Sequence, residues 1–240
     1  MSLLRPGGLE LTRAALKRCN LPKGAALLDV GCGDGTAAAM AAEEFGLTVT
    51  GVDLNRAAVD AAKAKGVNAL VQSADALEFP SRSFDAVLME CVFSVLPRQE
   101  EAIHEAYCML RPGGVLILSD LYVRQPDMER YRRDYKAAMA QFRRPRQHDD
   151  CGHDAVLPSP YCQDGAVVLD GLTGLLEELG LAVTLVEDHT ADLKAFLGQV
   201  ILDCGSLDAY VQAMGGDRVC RCTAKSAGYF LMLARKKHDA

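Results

Sequence analysis

The chain has 240 residues, of which 50% are hydrophobic and 24% charged, with a formal net charge of −6. That apolar content supplies a sizeable core, and the acidic balance leaves no basic surplus to neutralise a phosphate backbone, which speaks against nucleic acid as a partner. No apolar run reaches the roughly 18 residues of a bilayer span and no long apolar stretch follows the N-terminus, so a cytoplasmic protein without membrane attachment is expected.

Residues 8–19 have helical periodicity in Leu9, Leu11, Ala15, Leu16 and Cys19, and Pro22-Lys23-Gly24 breaks it. Strand-like and helix-like runs then alternate. Strands are predicted at 25–30, 48–53, 68–72, 84–90 and 114–120, and helices at 35–45, 55–65 and 98–110. The strands are nearly continuous apolar runs, such as Ala86-Val87-Leu88-Met89, the pattern of a parallel sheet buried on both faces. The alternation predicts right-handed crossovers and a Rossmann-like, doubly wound α/β fold. Arg111-Pro112-Gly113-Gly114 is expected to stop the helix before the fifth strand.

The pattern loosens after Asp120. A charged helix is predicted at 126–143 and a loop at 144–165. A helix at 166–179, a strand at 181–187, helices across 189–213 and a final strand at 228–234 follow. Residues of about 122–165 carry too little apolar content for a core of their own, so they read as a helical and loop insertion on a single domain spanning 1–240.

The chemistry-bearing segment is Leu27-Leu28-Asp29-Val30-Gly31-Cys32-Gly33-Asp34-Gly35-Thr36, a buried strand ending in a glycine turn that opens a helix. Glycines let the backbone bend sharply and lie against a ligand. A dinucleotide fingerprint wants a third glycine where Thr36 stands, so the turn alone does not define the ligand. Asp53 ends the second strand about 20 residues on, where a carboxylate accepts the hydroxyls of a ribose. Ser73-Ala74-Asp75-Ala76 follows the third strand, and Asp75 there suits either an adenine amino group or a helix N-cap. The fourth strand delivers Glu90-Cys91 to the carboxyl edge of the sheet, where ligands of open α/β folds bind.

With LLDVGCGDGT, GVDLN, SADALEFP, SFDAVLMECVFSVL and LRPGGVLILSD in that order, the sequence resembles the class I S-adenosylmethionine-dependent methyltransferases of the small-molecule type, closely over about residues 25–121. The resemblance implies a seven-stranded sheet of order 3-2-1-4-5-7-6 with the last strand antiparallel. It implies S-adenosylmethionine as the cofactor, a small-molecule methyl acceptor, and a monomer or homodimer. Carried over, Gly31, Cys32 and Gly33 approach the amino-acid part of the cofactor and Asp29 meets its ammonium. Asp53 holds the ribose and Leu54 flanks the adenine. Ala74, Asp75 and Ala76 surround the adenine amino group, and Glu90 lies beneath the methyl sulfonium.

The acceptor is less legible. Arg5 precedes the first helix and either faces a carboxylate of cofactor or substrate or is solvated; Tyr122 either reaches the pocket or is packed. The chain has nine cysteines and no C-x-x-C pair; they are expected to be thiols. Cys91 and the Cys162-Gln163-Asp164-Gly165-Ala166 stretch give a partial resemblance to arsenite methyltransferases, in which thiolates hold a soft metalloid. That makes Cys91 and Cys162 candidate catalytic residues, with Cys151, Cys220, Cys222, His148 and His153 nearby in variable segments. Against it, the chain lacks that family's cysteine segment ahead of the glycine turn, and Cys32 and Cys108 read as small core residues. No resident metal is expected. Three functions follow: methyl transfer to a small molecule, methyl transfer to a metalloid or thiol, and a non-catalytic S-adenosylmethionine-binding or metal-sensing module.

Overall fold

The structure is a computed structural model that describes residues 5–126, 129, 166–207, 209–210 and 227–238. The predicted charged helix and the loop at 144–165 lie almost wholly outside these residues. So do Cys151, Cys162, Cys220, Cys222, His148 and His153.

Helix α1 (Gly8–Cys19) leads into β1 (Ala26–Val30), α2 (Thr36–Phe45), β2 (Thr48–Asp53), α3 (Arg56–Ala64), β3 (Asn68–Val71) and β4 (Phe84–Glu90). A short 3₁₀ turn (Phe93–Val95), α4 (Gln99–Met109) and β5 (Leu110–Val123) follow. The last described elements are α5 (Leu169–Glu178), β6 (Leu181–Asp188), α6 (Thr190–Cys204) and β7 (Ala227–Lys236). The seven strands form one sheet in the order β3-β2-β1-β4-β5-β7-β6. β1 to β5 pair in parallel, and β7 runs antiparallel to both β5 and β6, as the resemblance implied.

Burial explains the apolar runs. Successive residues of β1 point to opposite faces. Leu28 packs with Val87, Met89, Ile103, Leu116 and Phe230 on the α4–α5 side. Leu27 packs with Leu11, Leu16, Met40, Leu88 and Ile117 on the α1–α2 side. Both layers need an apolar side chain at every position of the central strands.

Several boundaries differ from the sequence reading. β5 begins at Leu110, immediately after α4, so Arg111-Pro112-Gly113-Gly114 lies inside the strand. The pairing of β4 with β5 shifts register between Phe84 and Ala86, which is where the proline, with no N–H to give the ladder, is accommodated. The helices expected across 189–213 begin with α6, which ends at Cys204 and is capped by Gly205 in the left-handed region, and residues 207, 209 and 210 are helical again. Tyr122 and Val123, expected to open the insertion, complete β5. Val123 N–H donates to Val167 O at 2.8 Å and Val167 N–H to Leu121 O at 3.0 Å, so both ends of segment 124–166 are clamped beside the carboxyl edge. Among the described residues no helix is long and apolar enough to cross a membrane.

Candidate functional site

The glycine turn is folded by contacts on both sides. Gly31 has φ +75°, and a Cβ built on it would meet Val92 Cγ2 at 2.5 Å, so the residue must be glycine to let the β4–α4 loop close over it. Gly33 has φ +54° and open space where a Cβ would point. Of the two, only Gly33 offers a bare backbone surface to a ligand. Cys32 turns its side chain into the core beside Gly51 and the α2–α3 contact; burial pushes its thiol up to about 12. Its Sγ also donates to Gly33 O within the turn at 3.7 Å.

Asp53 leaves β2 with both oxygens engaged by backbone: Oδ2 accepts from Gly33 N–H at 2.9 Å and Oδ1 from Asn55 N–H at 2.8 Å. The carboxylate is thereby locked between the turn and the start of α3. Leu54, next in sequence, is 64% exposed, an apolar side chain left at the rim. Asp75 is buried, with Ala74 buried beneath it and Ala76 exposed. Ser73 Oγ donates to Asp75 Oδ1, and Arg98 Nε ion-pairs with Oδ2 at 2.6 Å. Burial works to raise this carboxyl, but the bonds from Ser73 and Arg98 outweigh it and hold the group below its ordinary value.

Beneath the turn sit two buried acids. Asp29 Oδ2 is a buried oxygen with no hydrogen-bond partner. Desolvation, reinforced by Glu90 and partly offset by Arg5, pushes Asp29 up to about 7. Glu90 is also raised by burial, which Arg5 and Thr12 oppose. Arg5 is not a solvated arginine: its side chain is largely buried. Its guanidinium lies 2.8 Å from Glu90 Oε2 and donates to Thr12 Oγ1 at 2.5 Å, and the Thr12 hydroxyl bonds both Glu90 oxygens. The segment before α1 is thus stapled to the end of β4.

Cys91 has a left-handed backbone, φ +53°, unusual for a residue with a side chain. Its Sγ lies 2.8 Å from the Tyr229 hydroxyl, which also donates to Ser119 Oγ at 3.2 Å. Burial, with Asp120 close by, pushes the thiol up to about 12, so at neutral pH it is a thiol and not a thiolate ligand. Burial likewise holds the Tyr229 phenol in its neutral form, well above its ordinary range. Asp120 accepts from Ser94 N–H at 3.0 Å and Leu121 N–H at 2.7 Å, fixing the loop after β4.

The structure therefore brings Asp29, Gly31, Gly33, Asp53, Leu54, Asp75, Glu90 and Cys91 to one edge of the sheet. Tyr122 is a packed aromatic: it fills the space over Gly228, stacks edge-on with Phe230 at 6.4 Å, and hydrogen-bonds Asp188. Cys19, Cys32, Cys91 and Cys204 are free, whereas Cys108, buried in the core as expected, is disulfide-bonded, so the expectation of thiols throughout does not hold. Among the described residues no His, Cys, Asp and Glu group is arranged to hold a metal ion. Sequence reasoning missed Thr12, Arg98 and Tyr229. Thr12 left a trace, a polar residue on the apolar stripe of α1; Tyr229 is one more apolar-compatible residue in a buried strand, and Arg98 looks like any helix-start arginine.

This sheet order, with a glycine turn after β1 and acids at or near the ends of β1, β2 and β4 and just after β3, is the Rossmann-like arrangement that the resemblance to class I S-adenosylmethionine-dependent methyltransferases implied. Residues 28–118 match the family model described as "Methyltransferase domain". Methyltransferase GfsG of Streptomyces halstedii is 33% identical over 129 residues, 50% of this chain and 46% of that protein. The chain spans about half the length or less of the first curated relatives it matches. Among solved structures, the [4+2]-cyclase SpnF has a TM-score of 0.69 at 22% identity, covering 97% of this chain and 82% of that one. Phosphoethanolamine N-methyltransferase 2 of Haemonchus contortus, in complex with S-adenosyl-L-methionine, has a TM-score of 0.67 at 22% identity, covering 98% of this chain and 54% of that one. At that identity the two structures speak to the fold alone.

Proposed function

We propose that the chain transfers a methyl group from S-adenosylmethionine to a small-molecule acceptor. The observation that carries this reading is the buried Asp29 oxygen without a partner, close to Glu90 on the strand that leads into the glycine turn, where Gly33 has open space. A buried, unsatisfied carboxylate is costly unless a ligand completes it, and the ammonium of the cofactor is a matching donor. The rest of the edge fits the same molecule: Asp53 for the ribose, Leu54 and Ala76 as exposed small surface for the base, and Asp75 as an acceptor for its amino group.

Bound S-adenosylmethionine supplies an activated methyl group, so the protein's task is alignment and exclusion of water. Asp53 is fixed by two backbone donors and presents its remaining lone pairs in one direction. The Arg5–Thr12–Glu90 staple closes the α1 side of the cleft and keeps a positive charge against Glu90. Asp120 pins the loop that carries Cys91 and Val92 over the turn. Residues 1–240 are read as one methyltransferase domain, with about 122–165 as an insertion beside the acceptor end, a placement supported by the Val123–Val167 clamp.

The metalloid or thiol reading asks for reactive sulfur. Cys91 is protonated and tied to Tyr229, which does not favour it. Calorimetric titration with S-adenosylhomocysteine tests the main reading, with saturable binding near one site per chain expected; folded protein that shows no heat of binding ends it. In a broad methyl-acceptor screen, Cys91→Ala is expected to retain transfer to within about threefold, whereas loss of all transfer together with arsenite-sensitive activity in the wild type would restore the thiol chemistry.

A further inference from the structure

Helix α4 and its N-cap residue reach the loop after β3 at two points. Glu105 Oε2 accepts from Leu77 N–H at 3.0 Å in a buried contact, and Arg98, seven residues earlier, ion-pairs with Asp75 at 2.6 Å. Arg98 is the N-cap residue of α4, with φ −126° and ψ 76°, and Glu105 lies within the helix, so the helix and its cap together hold both ends of the 75–77 segment. The grip is itself braced, because Gln99 Nε2 donates to Phe93 O at 2.7 Å and ties the helix start to the 3₁₀ turn. Within the loop, Ser73 Oγ holds Asp75 Oδ1, and Ala76 N–H closes back on Ser73 O at 3.1 Å.

Each Asp75 oxygen thus has one fixed donor, and the plane of the carboxylate is set by two residues that do not belong to the cleft floor. A carboxylate held this way is an acceptor only. It accepts from a ring amino group and is repelled by a ring carbonyl at the same position. Resting on the S-adenosylmethionine reading above, we propose that Arg98 is a positioning residue for nucleobase selection: by fixing Asp75 it makes the site choose a 6-amino purine over a 6-oxo purine.

A merely structural ion pair at Arg98 would weaken all ligands equally, whereas a positioning role changes the choice between them. The experiment compares S-adenosylhomocysteine with S-inosylhomocysteine by calorimetric titration of the full chain. The wild type is expected to prefer the amino form by at least about tenfold, since a group built to accept a hydrogen bond rejects an analogue that cannot give one. Arg98→Ala and Arg98→Met are expected to cut that preference to about threefold or less, mainly by weakening the amino form, and Arg98→Lys to recover part of it. An unchanged preference in both the alanine and methionine variants overturns the proposal. So does a wild type that binds the two ligands equally well, which leaves the S-adenosylmethionine reading intact. A wild type that binds neither overturns both. Arg98 is 59% exposed, so the variants are expected to fold, and circular dichroism checks this before titration.

Discussion

Asp29 is the residue whose chemistry depends most on its surroundings. Its carboxyl has lost water, faces Glu90, and feels Arg5 only in part. The folded chain therefore holds a proton there that the unfolded chain releases at a lower pH. The sign follows from linkage: the contribution of neutral Asp29 to stability is present in acid and is lost as pH rises through about 7. Asp29→Asn removes that loss. In thermal melts without ligand, the variant is expected to gain on the wild type between about pH 5 and about pH 8, and to bind S-adenosylhomocysteine about tenfold more weakly at the upper end. A constant difference in melting temperature across that range would show that Asp29 stays charged in the fold. The sequence was enough to put Asp29 next to the glycine turn near the end of β1, yet it carried no sign that the neighbouring Arg5 was committed to Glu90, because the pairing joins positions distant in the chain.

At the scale of elements, the turn between β1 and α2 is decided by a residue from another loop. Val92 occupies the space that any Cβ on Gly31 would need. Gly31→Ala adds both that clash and a positive φ for alanine, and is expected to cost about 1–3 kcal/mol in denaturant unfolding. Gly31→Ala with Val92→Ala should recover only part of the loss, since the clash is relieved and the backbone strain remains; full recovery would mean the strain is negligible. Elements were legible where the signal is local. Apolar runs marked all the strands, and the glycine turn marked the start of α2. The register shift at Arg111–Gly114 was not legible, because the same Pro-Gly-Gly serves equally as a helix stop or as an irregular strand opening. The full extent of β7 was hidden for a related reason: Lys236 continues the strand by giving its ammonium to the carbonyls of Tyr107 and Leu110, a contact with no local sequence mark.

For the whole molecule, every candidate contact for the cofactor lies on the edge formed by the carboxyl ends of β1 to β4, so one ligand would bridge elements that are otherwise joined only through the sheet. Saturation with S-adenosylhomocysteine at about one hundred times its dissociation constant is expected to stabilise the chain by about 2.7 kcal/mol, or roughly 5–10 °C in melting temperature for a chain of this size. A melting temperature that does not move, in a protein that binds by calorimetry, would place binding on a part of the molecule that does not limit unfolding. The order of the sheet was legible because each motif sits on its own strand in chain order. The acceptor end was not, because its candidates were cysteines and aromatics whose roles depend on which face they turn to, as Tyr122 and Cys91 illustrate.

The two backbone bonds between Leu121–Val123 and Val167 have an evolutionary meaning. They bring the two ends of residues 124–166 together beside the end of β5, as at the neck of a closed loop of chain. Adding residues to such a loop costs little, about 0.6 kcal/mol for each doubling of its length. The donor half of the molecule can therefore stay constant while the segment between the two clamped ends is exchanged wholesale. A change of length between those two ends thus leaves the core of the sheet as it is.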